Sequence, residues 1–559
     1  MLTRAAALEE IAGRRFEVVV IGGGITGAGV AFDAAARGYS VALLERGDYA
    51  VGTSSRSSKM IHGGLRYLQN LDLGLVREAL LERQLMVQLA RHLVYPTPFV
   101  VPSFPDERRD RRLGMGLNMY DVMATTRVGR GRREMRSSKQ EDEDFYWSPD
   151  RHRTIDREEL LEMVPSLQPR DPGDAYLFYD CQTDDVRLVL TILGEAERFG
   201  AVMLNGAEVT EVLSRDGHAV GVAAVEAESG ERFEVEADNV VNATGVWADR
   251  VGPEVVEEED VPRIKPSRGT HLLLDRADLS TGSAACIVPA GEGRHIFALP
   301  WYGRTLVGTT DNDFDGDIDH PQPGSEDVEY LLEAVNAFFG TALGDSDLVG
   351  AYAGVRPLIS TGDPKKSVDI SRKAELYETS SGMLTITGGK LTTWRRMAKQ
   401  TVDRLVEREG REAPCHTAEL PLGREAQPEE LDAPVGVGEE AVAQLAFRYG
   451  YAARNVLSLA REDPKLAQPI VPGRPDLLAE VIVAARLEQA RTVADVLLRR
   501  TRLGLLAAPQ LREADAVRPV AEALGRELDW SRREVKRAAD AWPVAAAEAG
   551  VDPAAGARV

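Results

Sequence analysis

The first strongly patterned segment is Phe16-Glu17-Val18-Val19-Val20-Ile21, a short β-branched run with little polar alternation. Such a run predicts a parallel strand buried on both faces. It leads into glycines at 22 to 24, an alanine-rich stretch ending at Arg37, and a second apolar run over 40–45. Strand, tight turn, helix and strand within about thirty residues make a βαβ unit. Leucines and paired charges at helical spacing predict a long amphipathic helix over 71–92. Another is predicted over 186–199, behind Asp184-Asp185, acids suited to a helix N-terminus. Residues 209–213, 219–226 and 232–235 read as a meander, with a separate short strand at 239–243. Alternation over 264–310 predicts antiparallel strands, 326–340 a helix, and 382–387 a strand opening onto Gly388-Gly389-Lys390. Beyond Cys415 the chain turns rich in Ala, Leu, Arg and Glu, with proline punctuation over 468–476, which predicts a separate helical domain with a frayed end.

Length adds that 559 residues exceed one compact core, so about three to four domain-sized units are expected. Acidic residues outnumber basic ones by 89 to 67, a formal net charge of −22. That field disfavours nucleic acid and offers no general attraction to anions, so a phosphorylated substrate needs a local gathering of arginine and lysine. Three scattered cysteines, Cys181, Cys286 and Cys415, argue against a disulfide framework, a cysteine-rich zinc site or an iron–sulfur cluster. No bound metal is expected. A charged beginning and the lack of a long uncharged apolar run predict a cytoplasmic protein that does not cross a bilayer.

The turn itself carries chemistry. Gly22-x-Gly24-x-x-Gly27 supplies a tight turn, a close approach of backbone to pyrophosphate, and close packing of helix on strand. The following helix aims its N–H groups at the phosphates, and Glu45 ends the second strand where a carboxylate can accept from ribose hydroxyls. These residues point to a dinucleotide without separating FAD from NAD.

The next segment, 46–68, runs RGDYAVGTSSRSSKMIHGGLRYL. Thr53-Ser54-Ser55, Ser57-Ser58-Lys59 and the stretch 61–68 strongly resemble the mark of the FAD-dependent glycerol-3-phosphate dehydrogenases. Val240-Val241-Asn242-Ala243-Thr244-Gly245, Gly269-Thr270-His271, Gly308-Thr309-Thr310-Asp311, Gly354-Val355-Arg356-Pro357-Leu358 and Gly388-Gly389-Lys390-Leu391-Thr392-Thr393 resemble further signatures of that family, in its order.

The resemblance implies an α/β fold: a glutathione-reductase-like FAD-binding Rossmann domain (14–100, 181–250 and 351–404), an antiparallel-sheet substrate cap (101–180 and 251–350) and a C-terminal helical domain (405–559). It implies FAD, held by Gly22, Gly24, Gly27 and Glu45 and by Thr53, Ser54, Ser58, His62, Gly63 and Gly64. Ala243, Gly245, Gly354, Gly389, Leu391 and Thr392 complete that set. It implies oxidation of glycerol 3-phosphate to dihydroxyacetone phosphate, with Arg66, Tyr67 and Arg372 on the substrate and Arg356 and Lys390 nearer the reacting carbon. His271 is the first candidate proton acceptor and Arg356 an alternative orienting group.

The family passes electrons to membrane quinone; an oxidase using O2 is the nearest rival. An amine or amino-acid oxidase and a non-catalytic dinucleotide-binding module are the more distant ones. Residues 108–136 hold nine arginines against three acids around an apolar stretch. This suits peripheral contact with the inner membrane face, and equally an ordinary charged loop. The oligomeric state is left open, a homodimer among the options.

Overall fold

A computed structural model describes residues 3–64, 73–105, 111–125, 151–251, 263–291, 293–360 and 374–551. The strand Phe16–Ile21 sits centrally in a mixed sheet. It pairs in parallel with Val41–Leu44 on one side and with the second half of Arg232–Asn242 on the other. Val202–Leu204 extends the sheet beyond Val41–Leu44, and Leu384–Gly388 extends it beyond Arg232–Asn242. The unbroken apolar run at 16–21 has a direct cause in this placement. Val18 and Val20 face a helical layer, whereas Phe16, Val19 and Ile21 face a second core under the meander.

The helical layer consists of Ile25–Ala36, flanked by Asp185–Arg198 and Trp394–Glu409. The meander on the other face is Ala207–Arg215, His218–Glu226 and the first half of Arg232–Asn242. Residues 232–235 and 239–243, expected as separate strands, are one strand of 11 residues. Its first half alternates exposed and buried positions and pairs antiparallel with 218–226; its second half is buried on both faces and pairs with 16–21. The pattern changes where the strand passes from one sheet into the other, and that change mimics a break. The helix expected over 71–92 spans Leu73–Leu89, and the one expected over 326–340 spans Ser325–Phe339.

A second sheet has ten strands and runs from Asn312–Asp313 to Met60–Ile61. Its long element, Arg263–Asp275, lies between Arg304–Gly308 and Leu348–Ser360. Pairing is antiparallel except where Ala285–Pro289 meets Tyr95–Pro102. Leu272 and Leu274 face a core closed by the helix Ser325–Phe339, and Leu273 faces the opposite side, against Leu505 and Leu506. The C-terminal helices Glu439–Tyr449, Ala453–Glu462, Leu478–Glu488, Arg518–Glu527 and Arg532–Glu548 enclose their own core around Trp542.

Within the basic segment the described part is a helix, Arg111–Thr125, that exposes Met115 and Met119 and buries Leu117 and Tyr120. The rest of that segment, the acidic run at 254–260 and the chain end from 552 lie outside the described residues.

Parallel strands send their carboxyl ends to one edge. That edge gathers Gly22, Glu45, Ala243 and Gly389, at the point where the order of strands reverses about 16–21. Ligands of open parallel sheets bind in such a crevice.

The helix Ile25–Ala36 reaches its neighbour only because position 29 lacks a side chain. A Cβ there would lie 2.6 Å from Cε3 of Trp394, a ring that is fully buried and whose Nε1 donates to Met86 Sδ at 3.3 Å. Helix propensity alone favours Gly→Ala by about 1 kcal/mol. The clash should outweigh it, so Gly29→Ala is expected to destabilise the protein by about 1–3 kcal/mol. Denaturant unfolding of the FAD-loaded protein measures this, and an unchanged or raised midpoint would contradict the packing argument.

Candidate active site

The turn after the first strand is shaped by two glycines with different tasks. Gly22 has φ +107°, outside the range of ordinary side chains, and its N–H donates to Leu44 O. Gly27 is needed for proximity: a Cβ on it would stand 1.9 Å from the Gly22 carbonyl oxygen. The helix therefore presses its first turn onto the glycine loop. Gly24 is its N-cap residue, and Ser54 Oγ accepts from Ile25 N at 2.9 Å. Glu45 is buried at the end of the second strand. Its Oε2 accepts from Gly23 N at 2.7 Å and its Oε1 from Gly47 N at 2.8 Å. Burial pushes its carboxyl up, and the two N–H donors oppose that shift.

From this turn a cleft of about 520 Å³ runs along the carboxyl edge of the sheet. Arg46, Arg56, Arg250, Arg356 and Lys390 line it, against the carboxylates Glu45 and Glu208. A chain of net charge −22 thus holds a locally cationic groove, the arrangement a phosphate-bearing molecule requires. Backbone is brought close to the groove by glycine at 354, where a Cβ would lie 2.4 Å from Arg56 O. Glycine turn, helix N-terminus, ribose-side carboxylate and long groove all fit a dinucleotide.

Along the second sheet, strand pairing sets which candidate residues face one another. On Arg263–Asp275, Ser267 stands opposite Arg356, Gly269 opposite Gly354, and His271 opposite both Tyr352 and Gly308. The glycines of these motifs make room for side chains. A Cβ at Gly308 would lie 2.3 Å from His271 Cδ2, and one at Gly269 would lie 2.5 Å from Arg356 Nη2. Arg356 pairs with Asp311 at 3.2 Å and donates to Thr309 Oγ1 and Thr310 O. Asp311 also accepts from Ser267 Oγ at 2.6 Å.

His271 is buried, and its Nε2 meets Ser58 Oγ at 2.8 Å. Its ring stacks on Tyr352 with centroids 4.7 Å apart, and its Nδ1 has no hydrogen-bond partner among the described residues. Burial, with the charges of Lys59 and Arg356, holds its pKa well below the ordinary imidazole value. The imidazole is therefore neutral at pH 7.

Lys390 follows Gly388 and Gly389, both with positive φ, and lines the same groove. Thr392 Oγ1 accepts from His62 N at 3.1 Å, so the loop after the second sheet's last strand is tied to the loop at 388–393.

Of the residues expected on the cofactor, Gly22, Gly24, Glu45, Thr53, Ser54 and Ser58 line the cleft, as do His62, Ala243, Gly245, Gly354, Gly389, Leu391 and Thr392. Gly27 supports the turn from behind, and Gly63 N donates to Asp180 Oδ1 at 3.2 Å. Gly64 is described but is not among the lining residues. His271, Arg356 and Lys390 come together on the groove. Arg66, Tyr67 and Arg372 lie outside the described residues.

Sequence reasoning missed several neighbours. Arg56, the variable position of the TSS-x-SSK stretch, lines the groove and is pushed down to about 10 by burial and by Arg499. Trp247 also lines the groove, with the Arg46 guanidinium 4.7 Å from its ring centroid and its Nε1 donating to Asp319 at 2.8 Å. Its place directly after Thr244-Gly245-Val246 was the available signal.

Comparison with known proteins agrees with this geometry. The family described as FAD dependent oxidoreductase matches residues 17–395, and the one described as C-terminal domain of alpha-glycerophosphate oxidase matches 386–535. Glycerol-3-phosphate dehydrogenase 1 of Mycobacterium tuberculosis is 38% identical over 523 residues, 91% of this chain and 95% of the relative. Glycerol-3-phosphate dehydrogenase 2 of the same organism is 36% identical over 543 residues, 96% of this chain and 88% of that one. The structure of glycerol-3-phosphate dehydrogenase from Bacillus halodurans complexed with FAD aligns over 98% of this chain and 99% of its own, with TM-score 0.76 and 27% identity. L-alpha-glycerophosphate oxidase from Mycoplasma pneumoniae, with FAD bound, shares the fold at TM-score 0.51 and 15% identity, over 70% of this chain and 95% of its own. With a glycine turn, a cationic groove and relatives matched nearly end to end, this chain belongs to the FAD-dependent glycerol-3-phosphate dehydrogenase family, and FAD is its cofactor.

Proposed function

We propose that the protein oxidises glycerol 3-phosphate to dihydroxyacetone phosphate and passes the electrons to membrane quinone. The observation that carries this reading is that His271, Arg356 and Lys390 line the same cationic groove as the dinucleotide turn. The names of the relatives supply the substrate. FAD, when bound, supplies the acceptor for the hydride leaving C2.

The chain's own residues then have separable tasks. A neutral imidazole at His271 is in the form that accepts the hydroxyl proton, and Ser58 fixes the plane of its ring. The depressed proton affinity of that ring comes partly from Arg356. Arg356, whose guanidinium stays charged, and Lys390 polarise the alcohol oxygen as it becomes a carbonyl. By the resemblance, Arg66, Tyr67 and Arg372 hold the phosphate, where forked guanidinium donors are preferred over a point charge. The same reading divides the chain into FAD domain, substrate cap and helical domain near the boundaries expected from its motifs.

For location we propose the cytoplasmic face of the membrane. No helix among the described residues is long and apolar enough to cross a bilayer. The exposed Met115 and Met119, beside the basic segment, support peripheral contact. A second reading has an observation in its favour: the C-terminal match carries the name of a glycerophosphate oxidase, which uses oxygen.

Anaerobic titration of the yellow holoprotein with glycerol 3-phosphate should bleach the flavin at one equivalent per site. Retained absorbance would reject the substrate. Reoxidation by a soluble quinone should then be at least about tenfold faster than by air-saturated buffer; the reverse order would favour the oxidase. His271→Ala should slow flavin reduction by about 100-fold to 10,000-fold with FAD retained, and an unchanged stopped-flow rate would remove it as the base. Because burial lowers its pKa, the His271 ring in 15N-histidine-labelled protein should keep its neutral-form shifts from about pH 8 down to about pH 6. A titration midpoint near the ordinary histidine value would contradict the assignment.

A further inference from the structure

Behind the flavin-side loop lies a cluster of charges that takes no part in the chemistry above. Asp185 opens the helix Asp185–Arg198 and is fully buried. Its Oδ2 accepts from Lys59 Nζ at 2.7 Å, from Ser57 Oγ at 2.7 Å and from Ser57 N at 3.3 Å. Its other oxygen is taken by Arg502, which also reaches Asp184 Oδ1 at 3.1 Å and Ser55 O at 3.5 Å. Lys59 donates in addition to Ser55 O at 2.6 Å, adopts a left-handed backbone at φ +59°, and lies 4.7 Å from the Tyr352 ring centroid. Tyr352 donates its hydroxyl to Ser57 O at 2.7 Å and stacks on His271. Lys59, Asp184, Asp185 and Arg502 are all essentially inaccessible to solvent.

The cluster holds Ser55, Ser57 and Lys59 of this stretch, and Arg56, Ser57 and Ser58 line the groove. Ser58 is the hydrogen-bond partner of His271. A backbone strained at Lys59 persists only where its surroundings over-determine it.

We propose that Arg502 of the C-terminal helical unit is a positioning residue for the oxidation: through Asp185 it fixes the loop 55–59, and through Ser58 it fixes the plane of His271. The inference rests on the glycerol 3-phosphate reading for its kinetic consequence, whereas its geometric content concerns the flavin environment alone. A guanidinium fork bridging two adjacent carboxylates cannot be reproduced by an ammonium, so lysine at 502 keeps the charge and loses the bridge.

The test uses FAD-loaded full-length Arg502→Lys and, separately, Ser57→Ala, which removes the loop's hydroxyl bond to Asp185 and leaves the ion cluster whole. In each variant the limiting rate of flavin reduction should fall by about 10-fold to 100-fold, the order expected for misplacing a reacting group by about an ångström. FAD should stay stoichiometric, KM should move less than about threefold, and the visible circular dichroism of the flavin should change. The double variant should be no slower than the slower single one, since both act through one loop. Wild-type reduction rates in both variants, or rate losses that multiply in the double variant, would overturn the proposal. Should Arg502→Lys fail to fold, Ser57→Ala decides alone by the same rate. Should the wild-type flavin not be reduced by glycerol 3-phosphate, the substrate reading fails. Positioning is then judged by flavin dichroism without substrate, and a band identical in wild type and variants overturns it.

Discussion

A methyl group at position 27 would lie 1.9 Å from the Gly22 carbonyl oxygen, and the rest of the active site follows from that contact. Helix and turn must touch for the helix N-terminus to stand over the groove. Once it stands there, the carboxyl ends of the neighbouring parallel strands deliver Glu45, Ala243 and Gly389 to the same edge. The second sheet repeats this logic without a helix. Gly308 and Gly269 are empty where His271 and Arg356 need space, and Gly354 is empty where the loop carrying Arg56 closes in. Absent side chains thus set the positions of the present ones.

Charge is handled on two length scales. A net charge of −22 repels an anionic substrate at long range, but at physiological ionic strength that field decays over about 8 Å. The groove cations act within that distance and across a less polar medium, so their local arrangement decides binding. The cost falls on His271, whose proton affinity is depressed by its own burial, by the buried Lys59 and by Arg356 of the groove. In the proposed reaction a neutral imidazole beside the Arg356 guanidinium divides the labour: the ring exchanges a proton and the guanidinium does not.

The dinucleotide turn was legible because its parts lie within thirty residues and each has a residue-level reason. The motif glycines at 269, 308 and 354 were legible as signatures, but not as spaces, because their meaning lies in strands paired across the second sheet. Asp184 and Asp185 read correctly as helix-starting acids: Asp184 Oδ1 accepts from Val186 N and Arg187 N. Their second role depends on Arg502, 317 positions from Asp185, and no local pattern announces it. Strand 232–242 was misread at its middle because hydrophobic period reports burial, and burial changes where the strand changes sheets. The phosphate-side residues Arg66, Tyr67 and Arg372 rest on resemblance, since they fall outside the described residues.

The junction between the helical unit and the FAD unit shows why a buried ion cluster is placed where it is. Replacing such pairs by apolar groups is commonly neutral or favourable for stability, while removing one partner costs about 3–5 kcal/mol. Stability therefore does not account for Arg502 facing Asp184 and Asp185, for Arg499 and Arg500 facing Asp48, or for Arg187 facing Glu488. Apolar contact through Leu505 and Leu506 would hold the units together with little preference for direction. Paired charges add direction, because a guanidinium displaced from its carboxylate leaves both groups desolvated and unmatched. Asp48 follows Glu45 of the groove by three positions, and Asp185 holds the loop before His62. The helical unit is thereby tied to two segments that line the groove, 45–54 and 56–58, and its orientation becomes part of the groove's geometry.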